Sequence, residues 1–321
     1  MRVRFLSKGP PDQVSGGYLY NKYLIEYLRE AGVSLTYHPD PYDFASVDKG
    51  DIVIVDSIVM AEMATRLLSV SAQLILLLHV LPDFSRAKSI GSDVIDSLYR
   101  RSRVVVTGET TLESLRRVVV DAGLDVVKIE PGIREDWRAK ASYAQRARLL
   151  LGVANYIPGK QILRMLDVLR QLRHLPWSMT LHGNSDLDPE YFTAVARRIR
   201  ACGLRDRVDL LGAVPHEVIN EKMLQADLLV HFSRYESYSM VTAEAIACGL
   251  PVLSHKAGNY VVFRESGLIR YLETDATSEA AALAALITDE QAYAQLRPVT
   301  RGPTRTWEDV GREFLAWMER S

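Results

Sequence analysis

Ser233-Arg234-Tyr235-Glu236-Ser237-Tyr238-Ser239-Met240-Val241-Thr242-Ala243-Glu244-Ala245-Ile246-Ala247-Cys248-Gly249-Leu250-Pro251-Val252 runs from the end of an apolar strand, Leu228 to His231, through a polar loop and a short helix to the next strand, Val252 to Ser254. Gly249 and then Pro251 stop the helix, because glycine takes the left-handed C-terminal turn and proline cannot continue it. Ser239 is a capping residue at the other end. The N–H groups of Ser239, Met240 and Val241 are left facing the loop, and such a terminus suits a phosphate. Glu236 in the loop and Glu244 further along the helix flank that anion site, as carboxylates able to accept hydrogen bonds from sugar or ribose hydroxyls. Two solvated glutamates are the alternative reading of the same pair.

Outward from this stretch, the chain alternates short β-rich runs with amphipathic helical sequence. The first series has strands at Val3 to Leu6, Ser34 to Tyr37, Asp51 to Val55, Leu74 to His79, Val104 to Thr107 and Val126 to Ile129. Between them come a loop carrying Ser15-Gly16-Gly17, a helix over Leu19 to Ala31 and another over Ser114 to Ala122. The second series has strands at Leu149 to Leu151, Ser178 to Leu181, Val208 to Leu211, Leu228 to His231, Val252 to Ser254 and Ile269 to Leu272. Helices at Ile162 to Leu172, Pro189 to Cys202, Glu217 to Leu224, Met240 to Cys248 and Ser278 to Thr288 alternate with them. The basic stretch Arg134 to Arg146 reads as a linker or linker helix. This order predicts an α/β fold of two Rossmann-like, doubly wound domains, residues 1–140 and 141–303, followed by a C-terminal helix in 304–321. Such sheets bind ligands at the carboxyl ends of their strands, which places the function in a cleft between the domains.

With 321 residues, each half is long enough to bury a core of its own. A net charge of −1 offers no whole-protein attraction to nucleic acid. Cys202 and Cys248 have neither metal-ligand nor redox spacing, so a reduced, cytoplasmic setting is expected. No signal-peptide core is read near Met1, and Leu74 to Leu78 is far too short to span a membrane. Arg100, Arg101, Arg103, Arg116 and Arg117 leave peripheral contact with acidic lipid at the inner membrane face, or with an anionic acceptor, as the alternative to plain solvated helix surface.

Glu236, seven residues, then Glu244 followed by Ala-Ile-Ala-Cys-Gly-Leu-Pro-Val resembles the signature of glycosyltransferase family 4. The resemblance implies the GT-B fold and a retaining, metal-independent transfer from a nucleotide diphosphate sugar of UDP or GDP type, with no other cofactor. It assigns Glu244 to the nucleotide ribose and Glu236 to the transferred sugar. Gly16 and Gly17 resemble the family's glycine pair, whose backbone approaches phosphate or acceptor. His79, at the end of an apolar strand, falls where the family has a histidine beside the sugar. Lys160 in Pro158-Gly159-Lys160 falls where it has a lysine on the departing diphosphate. Gly183 in His182-Gly183-Asn184-Ser185 and Val214 after Gly212 fall in segments that border the nucleotide, and both are also simple strand-end turns. Ile129-Glu130-Pro131-Gly132-Ile133 is a partial match to the strand-to-linker segment. The helix with Trp307 is similar to a C-terminal helix that packs back on the N-terminal domain.

Two positions depart from the pattern. The family pairs its lysine with an arginine a few residues earlier, and here that neighbourhood reads Gly152-Val153-Ala154-Asn155. The loop that often reads Gly-Phe-Gly is Ser237-Tyr238-Ser239. The expected reaction is therefore glycosyl transfer to an acceptor hydroxyl. A sugar-nucleotide epimerase or phosphorylase on the same plan, and a sugar-nucleotide-binding subunit without catalysis, are the alternatives. A nicotinamide dehydrogenase is disfavoured, because neither domain opens with Gly-x-Gly-x-x-Gly.

Overall fold

The computed structural model describes residues 1–11, 13, 15–43, 47–82, 92–119, 123–298 and 305–320. The expected helix end at residues 120–122 and most of the turn-rich stretch 298–303 lie outside them. The chain forms two compact units, Met1–Gly132 with Arg305–Ser321, and Ile133–Thr304.

The first unit begins with β1 (Arg2–Leu6), α1 (Gly16–Glu30), β2 (Ser34–His38), β3 (Asp51–Asp56), α2 (Ser57–Leu68) and β4 (Gln73–Leu78). It continues with α3 (Ser92–Arg100), β5 (Ser102–Val106), α4 (Glu109–Val118) and β6 (Val126–Lys128). The strands pair in the order β2-β1-β3-β4-β5-β6, all parallel. A parallel sheet covered on both faces needs continuously apolar central strands. Ile52 to Val55 and Leu74 to Leu78 meet that need and are buried throughout.

The second unit runs β7 (Leu149–Val153), α5 (Ile162–Gln171), β8 (Ser178–His182), α6 (Pro189–Ala201), β9 (Val208–Leu211), α7 (His216–Gln225) and β10 (Leu228–His231). After these come α8 (Met240–Ala247), β11 (Val252–Ser254), α9 (Tyr260–Phe263), β12 (Ile269–Tyr271), α10 (Ala276–Thr288) and α11 (Glu290–Ala294). Its order, β12-β11-β10-β7-β8-β9, is that of the Rossmann fold. One apolar layer joins Leu166 of α5, Val195 of α6 and Leu283 of α10. The other face packs Ile219 and Met223 of α7 with Ala245 of α8.

The last helix, α12 (Trp307–Met318), belongs to the first unit. Gly311 lets it cross α1 closely, since a Cβ there would sit 2.1 Å from the Tyr27 ring. Trp307 stacks on Tyr23 and meets the edge of Tyr20. Arg103 holds the other end by donating to the carbonyls of Trp317, Met318 and Arg320.

Several expectations change. Gly16 and Gly17 form the first turn of α1 rather than a loop. The chain passes to the second unit at Ile133 rather than after residue 140. The stretch 134–146 contains no helix; it is pinned to the second unit because Lys140 donates to the carbonyls of Leu224 and Ala226 and the Arg138 N–H to Asn220. Two of the arginines considered for acidic lipid are committed elsewhere, Arg103 to α12 and Arg101 to the carbonyls of Leu67 and Leu68 at the end of α2 and of Val70 just beyond it. Among the described residues no helix is long and apolar enough to cross a membrane.

Candidate active site

In the second unit successive crossovers leave β7 toward one edge, through β8 and β9, and return to build the other edge from β10. The loops after β7 and β10 therefore diverge, and the crevice at such a switch point is where doubly wound sheets hold ligands. Lys160 comes from the first loop and Glu236 from the second. Their side chains meet, Lys160 Nζ lying 2.6 Å from Glu236 Oε1. His231, the last residue of β10, places Nε2 at 3.1 Å from the same oxygen. Burial by itself would raise the Glu236 carboxyl; the His231 hydrogen bond and the Lys160 charge outweigh it and hold the group down at about 2.

Both loops carry backbone strain. Gln161 (φ 54°) and Ser239 (φ 73°) are the non-glycine residues in the left-handed region among the described residues, and each directly precedes a helix of this site. Such conformations persist only where surrounding packing enforces them. Here Gly258 presses on the Tyr238–Ser239 backbone, where a Cβ would come within 2.3 Å of Tyr238 O, and Tyr238 is buried against Phe263. The positive φ also corrects the expected cap. The Ser239 side chain makes no hydrogen bond to the helix backbone and instead pairs with Thr242 Oγ1 at 2.8 Å. Met240 and Val241 occupy the first turn of α8 as expected, where N–H groups have no intrahelical acceptor.

Glu244 is buried in α8, and its Oε1 lies 2.7 Å from Nε2 of His216 at the start of α7. Val214, two residues before His216, packs half-buried on the same apolar layer, together with Val153 and Trp137. The place of the expected arginine is thus part of a hydrophobic contact. Gly183 is buried against the chain after β7, where a Cβ would lie 2.0 Å from Ala154 O. Its lack of a side chain serves this backbone approach.

The first unit has its switch point between β1 and β3. Ser7 follows β1, Asp56 ends β3, and Ser7 Oγ donates to Asp56 Oδ2 at 2.8 Å. His79 lies one residue past β4. Its Nε2 is 2.9 Å from Asn21 Oδ1, and Asn21 Nδ2 donates to Asp56 Oδ2 at 2.6 Å. Gly17 lies against the imidazole, where an added Cβ would be 3.0 Å from Cδ2. Gly16 is exposed at the same helix start. Burial lowers the His79 pKa from the ordinary histidine value against an opposing pull from Asp56, which favours the neutral ring.

The expected site residues thus form a Lys160–Glu236 pair next to the α8 start, a separately buried Glu244, and a His79–Gly17 contact in the other unit. Sequence reading missed His231, His216, Asn21 and Asp56. Leu-Leu-Val-His in β10 ends as Leu-Leu-Leu-His does at β4, a signal that could have drawn attention to His231. A carboxylate ending the apolar run Ile52 to Val55 was a comparable signal for Asp56. His216 gave none, since its partner is 28 residues away and only the fold joins them.

Two parallel Rossmann-like sheets with flanking helices define a GT-B α/β protein. A family model described as Glycosyl transferases group 1 matches residues 133–301, just over half of the sequence, and the chain belongs to that family. A D-inositol 3-phosphate glycosyltransferase of Xylanimonas cellulosilytica is 30% identical over 208 residues, 61% of this chain and 49% of that protein. The matched part spans about half of that relative's length. Sucrose-phosphate synthase of Thermosynechococcus elongatus superposes with a TM-score of 0.72 at 19% identity, covering 98% of this chain and 94% of that one. The Anabaena HepE protein, solved in complex with UDP-glucose, gives a TM-score of 0.72 at 16% identity, covering 99% of each chain. At these identities the two structures show the shared fold alone.

Proposed function

We propose that the protein is a family 4 glycosyltransferase that moves a sugar, with retention, from a nucleotide diphosphate sugar to an acceptor hydroxyl without a metal. The observation that carries this reading is the half-buried Lys160–Glu236 pair at the switch point of a Rossmann sheet, beside the start of α8. Lys160 and the N–H groups of Ser239, Met240 and Val241 meet the leaving diphosphate, where negative charge grows as the glycosidic bond breaks. Glu236, held ionised, accepts hydrogen bonds from the sugar. Glu244 takes a ribose hydroxyl, with Gly183 and Val214 bordering the nucleotide. His79 serves the transferred sugar, and the backbone at Gly16 and Gly17 serves the donor phosphate or the acceptor. The leaving phosphate itself removes the acceptor proton. Similarity to a D-inositol 3-phosphate glycosyltransferase supports a polyol or sugar acceptor, and the donor is of UDP or GDP type.

A thermal-shift series with nucleotides and sugar nucleotides tests this, since a ligand of the native state raises the melting point with its concentration. UDP or GDP sugars should raise it by several degrees. Glu244→Gln should weaken that binding about 10-fold or more, the scale of a lost hydrogen bond to a charged group. No stabilisation by any nucleotide, or equal affinity in the variant, would sink the assignment. Binding without product formation would instead favour the non-catalytic subunit.

A further inference from the structure

Three groups fix His79 in the first unit. Thr111 Oγ1 donates to its carbonyl at 3.1 Å, its N–H donates to Ser57 Oγ at 3.3 Å, and its Nε2 faces Asn21 Oδ1 at 2.9 Å. Two of these routes end on one residue. Ser57 Oγ donates to Asp56 Oδ1 at 3.3 Å, and Asn21 Nδ2 donates to Asp56 Oδ2 at 2.6 Å. Ser7 Oγ and the Ile58 N–H complete the shell of the carboxylate. Ser7, Asn21, Asp56 and Ser57 are all buried, with at most 4% exposure.

The donor and acceptor logic of this chain has a single solution. A carboxylate oxygen accepts, so the Asn21 amide must turn its NH2 toward Asp56 and its oxygen toward His79. An amide oxygen also only accepts, so the imidazole must carry its proton on Nε2. In a neutral ring Nδ1 then keeps its lone pair, and Nδ1 has no partner among the described residues. Gly17 occupies the Cδ2 side of the ring, while the Tyr20 ring meets it edge-on at 5.3 Å between centroids.

We propose that Asp56, acting through the Asn21 amide, is a positioning residue that locks His79 as the Nε2–H tautomer and presents the Nδ1 lone pair as an acceptor for a substrate hydroxyl. This rests on the glycosyl-transfer reading for the identity of the hydroxyl, but the lock itself follows from the hydrogen-bond order. It also specifies what His79 does. The ring orients a hydroxyl by accepting its proton and does not offer an N–H to an oxygen of the substrate.

Long-range 1H–15N correlation spectra of the imidazole-labelled full chain read the tautomer directly, with His79 assigned by its loss in His79→Gln. The wild type should show a protonated Nε2 and an unprotonated Nδ1. Asp56→Asn frees the Asn21 amide to flip, and Asn21→Ala removes the acceptor while leaving Asp56 in place. Both should convert the spectrum to mixed tautomers and lower kcat about 10-fold or more, with the donor KM within about 2-fold, since a functional histidine in the wrong tautomer loses activity. Should Asp56→Asn fail to fold, Asn21→Ala carries the comparison. A wild-type ring protonated on Nδ1, or variants that keep both the wild-type tautomer and kcat, would overturn the lock. Absence of sugar transfer by the wild type would overturn the glycosyl reading instead, and the wild-type spectrum would still decide for or against the tautomer.

Discussion

At Glu236, a carboxylate half-buried beside one lysine and one histidine combines two opposing effects on its proton. Desolvation favours the neutral acid, whereas the His231 hydrogen bond and the Lys160 charge favour the anion and win, holding the group at about 2. A folded-state pKa below the unfolded value contributes stability that is complete above the ordinary carboxyl pKa of about 4.3 and disappears as the pH falls through about 2. Lys160→Met takes away one of the two favourable effects. The Glu236 carboxyl should rise toward its ordinary range, stability at pH 7 should fall by about 2–3 kcal/mol, and acid unfolding should begin at a higher pH than in the wild type. Urea denaturation across pH 7 to pH 3 measures this, and superimposable acid limbs would refute it. Each residue of the pair was legible separately, Glu236 from its spacing to Glu244 and Lys160 from its motif. Their contact was not, because 76 residues separate them and only the order of strands brings them together.

Among the elements, regular strands were the most legible, since short apolar runs such as Leu74 to Leu78 and the β-branched Ile52 to Val55, alternating with helical sequence, suit buried parallel strands. Helix starts were less so. Ser15-Gly16-Gly17 reads as a loop by composition, yet Gly16 and Gly17 open α1, and Gly17 lies against His79, a tertiary contact that composition does not show. The four-residue helix α9 and five-residue α11 are too short to show a period. For α12, amphipathic spacing announced the helix, while its clamp came from a residue read as surface charge. Arg103 is 14% exposed, donates to three carbonyls at the helix end, pairs with Asp125 at 2.7 Å and lies 3.9 Å from the Trp317 ring. Arg103→Ala should cost about 2–4 kcal/mol from these combined contacts and raise amide exchange across Trp307–Met318. Arg103→Lys should not restore protection, because an ammonium cannot reproduce the planar fork. Unchanged exchange in α12 would show that the clamp contributes nothing.

Over the whole molecule, the alternation of strands and helices was enough to read two doubly wound units, and the two different strand orders emerged only from the pairing. The first unit is discontinuous in sequence, because its last helix arrives after the whole of the second. Trp307, Val310, Phe314, Trp317 and Met318 are all buried in it. At about 1.5–3 kcal/mol for each such side chain, α12 supplies roughly 8–15 kcal/mol of apolar burial, which is the size of a domain's entire net stability of about 5–15 kcal/mol. The second unit has its own layers around Leu166 and Ile219, and among the described residues those layers are built from the second unit alone. A chain ending at residue 304 should therefore lose the folded first unit and keep the second. Calorimetry should show one transition where the full chain has the heat of two units, and near-ultraviolet signals of Tyr20 and Tyr23 should be lost. Nucleotide affinity should stay within about 2-fold, since Lys160, Glu236 and Glu244 all lie in the surviving unit. Loss of nucleotide binding together with the first unit would show that the second cannot hold its site alone.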